Sequence, residues 1–402
     1  GLILLSMYHP IFILFGLLLL VLLGGILYYT GAKGLESSIE ESTQKYSLAA
    51  WLEEMARGVK AFKFEPDGPV LTQNSEQRTI RYLDKRTQHF RVLLFQYRIL
   101  VFFKTTITAA MLLVGSILLL DQQLNIGQFI AAEIVILIVI GAVEKLIGNL
   151  DSVYDVLTSV DKMAKLTEKP EEQSGRLPMP WRKEGITIEL QQLRFGFHPE
   201  QKILEDVNGR IPSGGKACIT GPDGSGKSTL LQLMGGIYTD FEGGLLYDGI
   251  PIANYQIDTL RAQIGISLSG QHIFQGSVWE NVTMGRTDIT IEELMEWTVA
   301  LRFDKQLQEW PLGWDTPLSP LGSHLSGSTI RKILLLRAMA KKPRLLLLEE
   351  PWRGCGEADR KAIQDLLLHL PDSITVVVVT SDADFVARCP IRIELNPAST
   401  NA

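Results

Sequence analysis

Gly221-Pro222-Asp223-Gly224-Ser225-Gly226-Lys227-Ser228-Thr229 follows the apolar stretch Ala217-Cys218-Ile219-Thr220 and opens a run with helical spacing. This is a complete G-x-x-x-x-G-K-[ST] phosphate loop in its strand-to-helix setting, so the chain is expected to bind a nucleoside triphosphate. Its glycines let successive backbone N–H groups turn inward around a phosphate, and the helix that follows presents its positive end to the anion. In that arrangement Lys227 reaches the β- and γ-phosphates, and the Ser228 hydroxyl is a ligand to Mg²⁺. A glycine-rich turn that binds nothing would not need the flanking strand and helix patterns, and both are present.

A second motif lies downstream, where Leu345-Leu346-Leu347-Leu348 runs into Glu349-Glu350. Two carboxylates then sit at the carboxyl end of a buried strand, the place where doubly wound sheets bind ligands. One can hold Mg²⁺ through water and the other can polarise an attacking water. Ile186 to Leu190, Ala217 to Thr220 and Thr375 to Val379 read as further strands. Such apolar runs suit a parallel sheet covered on both faces. A mainly helical stretch from Ile289 to Met339 interrupts them, giving an α/β nucleotide-binding domain with an inserted helical subdomain.

The N-terminal part has another character. The chain has 402 residues, 46% of them hydrophobic, and the apolar excess is concentrated before residue 150. Ile11 to Tyr29 carries no charge and is long enough to cross a bilayer core. A signal peptide would need a basic segment ahead of it, whereas Gly1 to Tyr8 is apolar and ends at a His9-Pro10 break. Gly1 to Tyr8 is therefore read as the tail of an earlier span, and with no Met at position 1 the chain is expected to begin inside a longer protein. Two more spans are expected, Arg98 to Leu120 and Ile126 to Val143, joined by a hairpin without Lys or Arg.

The segment between the first span and Tyr97 holds Lys33, Lys45, Arg57, Lys60, Lys63, Arg78, Arg81, Lys85, Arg86 and Arg91. That excess places it, and everything after Lys145, on the cytoplasmic side. Arg98 and Lys104 can snorkel. Glu133 lies deeper, as either a functional acid or one paired with a neighbouring helix. Ser37 to Phe64 continues the first span as an amphipathic rod that is expected to turn at Ala50 to Gly58, where Trp51, Leu52 and Met55 share a face and Gly58 relaxes the helix. Pro66-Asp67-Gly68-Pro69 then breaks it, and Ser75 to Leu94 leads back to the membrane. Glu168 to Glu184, rich in Pro and charge, reads as a linker. The expected division is a membrane part at 1–165, a linker at 166–185 and a nucleotide-binding domain at 186–396.

A net charge of −6 argues against nucleic acid as a partner. The three cysteines, Cys218, Cys355 and Cys389, have no C-x-x-C spacing and read as reduced thiols.

With these motifs in order, the chain resembles the ATP-binding cassette (ABC) exporters along essentially its whole length. That resemblance implies ATP and Mg²⁺ as ligands. It makes Leu325-Ser326-Gly327-Ser328-Thr329 the signature that meets a partner chain's ATP, Phe197 the aromatic that stacks on adenine, Glu350 the catalytic carboxylate and Glu349 the metal-side acid. It also implies the end of a third membrane span, spans four to six, and a coupling helix at Ala50 to Gly58.

The departures from the family pattern are as specific as the matches. Ser269 stands where the Mg²⁺-contacting Gln belongs, with Gln271 two residues on. The signature ends Ser328-Thr329 rather than Gly-Gln. Glu349 replaces an Asp, Gly356 the D-loop Asp, and Ser381 the switch His. The expected function is the ATP-binding subunit of an exporter, paired head to tail with a second half-transporter in a bacterial inner membrane and hydrolysing ATP slowly. A nucleotide-gated regulatory subunit that hydrolyses little is the alternative. A soluble P-loop kinase does not account for the spans. Apolar spans containing Met and Phe are compatible with lipid, peptide or hydrophobic drug as cargo.

Overall fold

The computed structural model describes residues 10–64, 68–198 and 202–396. The expected tail at Gly1 to Tyr8 and the Pro66-Asp67 half of the expected break lie outside the described residues. The chain divides into two compact units, Gly1–Pro170 and Glu171–Ala402.

In the first unit, Ile11–Arg57, Pro69–Leu120 and Ile126–Thr167 are long and apolar enough to cross a membrane by length and composition. Buried positions recur at helical spacing: Phe12, Leu19 and Ile26 on one helix, Leu100, Ile107, Met111 and Leu118 on the next, and Ile136, Ile140, Val143 and Ile147 on the third. Leu14, Leu17, Leu18, Ile134 and Ile138 remain exposed. Helices that are apolar on the outward side as well as the inward one suit lipid as the surrounding solvent. Small residues allow close approach, since a Cβ on Gly115 would fall 2.1 Å from the Phe129 ring.

Polar groups inside this unit bond across its helices, although Gln96 Oε1 is buried without a partner among the described residues. Gln96 donates to Thr30 Oγ1 at 2.6 Å and to the Tyr154 hydroxyl at 3.0 Å. Lys104 pairs with Glu144 at 2.7 Å. Glu133 is half-buried, and no ion pair to it occurs among the described residues; the acid paired across helices with Lys104 is Glu144.

The expected turn at Ala50 to Gly58 falls at the last of these residues, Gly58. One helix runs unbroken over Pro10–Arg57, ends at Gly58, and is followed by a separate short helix, Val59–Phe64. Trp51 explains the continuity. It is buried, its indole N–H donates to Ser75 Oγ at 2.9 Å, and Arg78 lies 5.4 Å over its ring, so it packs sideways on the returning helix. Residues 50–57 thus belong to the long helix, and the separate short element at this end is Val59–Phe64. Gly68 and Pro69 start the returning helix, with Pro at a position where its missing N–H costs nothing.

The second unit contains strands β1 (Ile188–Phe195), β2 (Leu204–Ile211), β3 (Lys216–Thr220), β4 (Glu242–Tyr247), β5 (Ile250–Pro251), β6 (Ile264–Ser267), β7 (Gly276–Ser277), β8 (Pro317–Leu318), β9 (Leu345–Glu349), β10 (Thr375–Val379) and β11 (Ile391–Glu394). A five-stranded sheet has the order β11-β3-β10-β9-β6, with every pairing parallel. Leu345 to Leu348 are fully buried, as is Val377 to Val378, in agreement with a sheet covered on both faces. Each such side chain is worth about 1.5–3 kcal/mol of transfer free energy.

The reading of 186–190 as part of that sheet is corrected. β1 begins at Ile188 and belongs to an antiparallel sheet, β2-β1-β4-β5, and its inward residues Ile188, Leu190, Leu193 and Phe195 alternate with exposed ones only in part. A bulge near Gln191–Leu193 shifts the register and breaks the strict alternation. Helices Ile291–Ala300, Asp304–Glu309 and Gly327–Ala340 form the inserted helical part. Much of the expected linker is stitched to this unit: Gly175 donates to Tyr255, Leu177 to Asn254, and Met179 to the Thr259 hydroxyl.

Candidate functional site

Four neighbouring parallel strands, β3, β10, β9 and β6, end on the same side of the sheet. Their carboxyl ends deliver the phosphate loop, Thr380-Ser381, Glu349-Glu350 and Ser269 to one cleft. It measures about 760 Å³ and is lined by Ile203, residues 223–229, Ser269, Glu349, Glu350, Arg353, Val379 and Ser381. That size lies within the range of small-molecule sites.

The loop from Gly221 to Gly226 leaves β3 and enters the helix Lys227–Met234. Gly226 caps that helix with φ +84°, and a Cβ there would fall 2.6 Å from Leu204 Cδ2. Gly224 has φ +81° with open space around its missing Cβ, which leaves the backbone bare on the cleft side. Pro222 and Asp223 carry the outer turn, and the Asp223 carboxylate is fully exposed, 3.9 Å from the Lys227 amine. Lys227 donates to the carbonyls of Gly221 at 2.8 Å and Pro222 at 2.7 Å, folded back along its own loop. Ser225 is buried, and its hydroxyl has no hydrogen-bond partner among the described residues. Thr229 completes the lining on the helix.

Ser228 and Glu349 are brought into direct contact. The Ser228 hydroxyl donates to Glu349 Oε1 at 2.5 Å, and the Ser269 backbone N–H donates to Glu349 Oε2 at 2.8 Å. A hydroxyl and a carboxylate with no nitrogen or sulfur nearby are a hard oxygen pair suited to Mg²⁺, which takes one or two protein ligands and completes its shell with phosphate and water. The described residues contain no cluster of three or more His, Cys, Asp or Glu. Ser269, rather than Gln271, lines the cleft.

Glu350 adopts a left-handed backbone, φ +42°. Its carboxylate accepts hydrogen bonds from the Ser381 N–H at 2.9 Å, the Ser381 hydroxyl at 3.3 Å and the Thr380 hydroxyl at 3.2 Å. The residue standing where the family has its switch His is thus attached to the acid, a link between positions 350 and 381 that no local pattern announces.

Phe197 is not part of this cleft. It is half-exposed and lines a separate groove of about 370 Å³ with Arg194, Lys202 and Phe241, its ring edge-on to Phe195 and Tyr238. Ile203, next to Lys202, belongs to the phosphate cleft. The two grooves are therefore adjacent along the chain.

The signature segment is also outside the cleft. Ser326 caps the helix Gly327–Ala340 by accepting from Thr329 N–H at 3.1 Å, and Leu325 packs against the helical core. Gly327 is the first residue of that helix. Ser328 donates to Asp359 at 3.0 Å, and Lys332 pairs with the same carboxylate at 2.9 Å. Asp359, three residues beyond Gly356, thereby ties the signature to the helix Glu357–Leu368. Burial pushes the neighbouring Cys355 thiol up from its usual range, which keeps it a neutral thiol.

Residues 204–353 match the ABC transporter family. The chain is 33% identical over 188 residues to the mitochondrial iron-sulfur clusters transporter ATM1 of Saccharomyces cerevisiae, covering 47% of this chain and 27% of that one. It is 30% identical over 210 residues to heavy metal tolerance factor 1 of Caenorhabditis elegans, covering 52% and 26%. It is 26% identical over 276 residues to the uncharacterized ABC transporter ATP-binding protein YwjA of Bacillus subtilis, covering 68% and 48%. The chain thus spans about a quarter to a half of the length of these relatives. A bacterial Atm1-family ABC exporter solved with ATP bound superposes with a TM-score of 0.87 at 17% identity, over 96% of this chain and 69% of that one. Residues 204–353 are therefore an ABC transporter domain, and the chain has the fold of that ABC exporter, with membrane-type helices followed by a nucleotide-binding unit.

Proposed function

We propose that this chain is the ATP-binding subunit of a membrane exporter, in which MgATP binding and slow hydrolysis drive export. The observation that carries this reading is the contact between Ser228 and Glu349 in one cleft with the phosphate loop. Lys227 and the bare loop amides hold the phosphates, Ser228 and Glu349 hold Mg²⁺, and the metal supplies charge neutralisation between the phosphate oxygens. Glu350 is the acid that orients and polarises the attacking water. Adenine stacks on Phe197. Leu325, Ser326, Gly327 and Ser328 serve the ATP of a second half-transporter, the arrangement expected of a head-to-tail dimer. The nucleotide-binding unit faces the cytoplasm, given the basic residues flanking the spans. Relatives from a yeast mitochondrion, a nematode and a bacterium leave the bacterial inner membrane as part of the proposal.

A second reading, a subunit that closes on ATP but hydrolyses little, is favoured by one specific observation. The Glu350 carboxylate is engaged by three donors from Thr380 and Ser381, so an incoming water competes with them. The test is purification of the full-length protein with its native partner, followed by MgATP titration, ATPase assay and mass spectrometry of bound molecules. Binding with slow turnover and a co-purified cargo supports the first reading. Binding with no turnover above background and stimulation of a partner's ATPase supports the second. Absence of MgATP binding overturns both.

A further inference from the structure

Arg353 is a charged cleft-lining residue that neither the sequence motifs nor the family pattern assigns. It reaches the cleft because the chain doubles back after β9: Glu350 takes its left-handed conformation, its carbonyl accepts the Arg353 N–H at 3.0 Å, and Gly354 follows with φ +79°. The turn Glu350-Pro351-Trp352-Arg353 is anchored from beneath by Trp352, which is buried against Phe385 with ring centroids 4.9 Å apart. Position 353 is thus held at the strand end rather than on a wandering loop.

The charges of the cleft are then unevenly committed. Glu349 is taken by Ser228 and the Ser269 N–H, and Glu350 by Thr380 and Ser381. Lys227 is bonded to two loop carbonyls at the other end. The guanidinium of Arg353 has no hydrogen bond or ion pair among the described residues. On the side of the cleft formed by Glu350 and Ser381, it is the cationic donor left over, and the Ser381 hydroxyl is spent on Glu350. A guanidinium with its fork of N–H donors is the side chain best shaped to take a phosphate in two parallel bonds.

We propose that Arg353 is a phosphate-binding residue that grips the terminal phosphate of the bound nucleoside triphosphate. It takes over the contact that Ser381 does not offer, and it makes the cleft prefer a triphosphate to a diphosphate. This inference rests on the reading of the cleft as an ATP site. Because Arg353 is exposed and unpaired, its replacement leaves the folded unit intact, which a thermal-unfolding trace verifies.

The experiment is a pair of titrations of the full-length protein with fluorescent ATP and ADP in the presence of Mg²⁺. Losing a charge-assisted contact of this kind typically costs about ten- to a hundredfold in affinity. Arg353→Ala is expected to weaken ATP by about that factor while changing ADP by less than about twofold, and Arg353→Lys to restore part of the preference. Equal losses for ATP and ADP, or no loss for either, in a protein that binds both would overturn the role of Arg353 alone. A wild-type protein that binds neither nucleotide would overturn the ATP reading of the cleft together with it.

Discussion

The two sides of the cleft are built from different materials. On the phosphate-loop side the chemistry is backbone amides, one lysine and a hydroxyl joined to a carboxylate at 2.5 Å, all set by consecutive residues after β3 and by the end of β9. On the facing side it is side chains from separate loops, and at two of those positions, Ser269 and Ser381, the residue departs from the family pattern. On the proposed reading the phosphate loop and Arg353 serve binding and Glu350 with its neighbours serves turnover, so substitutions at Ser269 and Ser381 can leave affinity whole while rate falls. Backbone donors survive side-chain change, and a water-orienting constellation does not.

Four experiments break or sharpen this contrast. The largest effect is expected for Glu350→Gln, which should lower the residual ATPase rate by about 10²- to 10⁴-fold, as for loss of a positioned general base. A titration with MgATP should give an affinity within about twofold of wild type. Rapid hydrolysis that persists in the variant would show that the turnover side is organised around another group.

Next in size is Lys227→Ala on the binding side. Removing one charge-assisted partner of the phosphates costs about 1.5–3 kcal/mol, or about ten- to a hundredfold in the dissociation constant of a fluorescent nucleotide. Wild-type affinity in that variant would move the phosphates out of this cleft.

Restoring the turnover side is a smaller and opposite effect. Ser381→His combined with Ser269→Gln should raise steady-state hydrolysis about tenfold, a part of what one positioned group supplies. Ser381 has first to be released from Glu350, to which it donates twice. A rate unchanged or lower in phosphate-release assays would mean that the Glu350 attachment, rather than the missing side chains, sets the pace.

The smallest effect lies in the neighbouring groove. Phe197→Ala should weaken ATP by about two- to twelvefold, the equivalent of 0.5–1.5 kcal/mol for an aromatic contact, and Phe197→Tyr should be nearly neutral. Equal binding by wild type and both variants, measured in parallel titrations, would put the base elsewhere than on this half-exposed ring.

What the sequence by itself determined was the set of local devices. The phosphate loop is nine consecutive residues, the four leucines before Glu349 make a buried strand unmistakable, and apolar runs of membrane length announce the spans, because each signal is carried by neighbours a few positions apart. Local patterns also have limits: Gly58 marks the break, yet Trp51, Leu52 and Met55 ahead of it stay in the helix that runs to Arg57, with Trp51 bonded across to Ser75. The strand from Ile188 was legible, but its sheet was not, since a bulge blurs its alternation and antiparallel partners lie elsewhere in the chain. Only the tertiary structure decided the sheet order β11-β3-β10-β9-β6, and with it the meeting of residues 221–229, 269, 349–350 and 381 at one edge. The attachment of Ser381 to Glu350, the tie from Ser328 to Asp359 and the return of Arg353 over the strand end depend on that order. The physical reason is separation: a hydrogen bond between residues 31 apart is written in the packing of strands and turns, not in the spacing of letters.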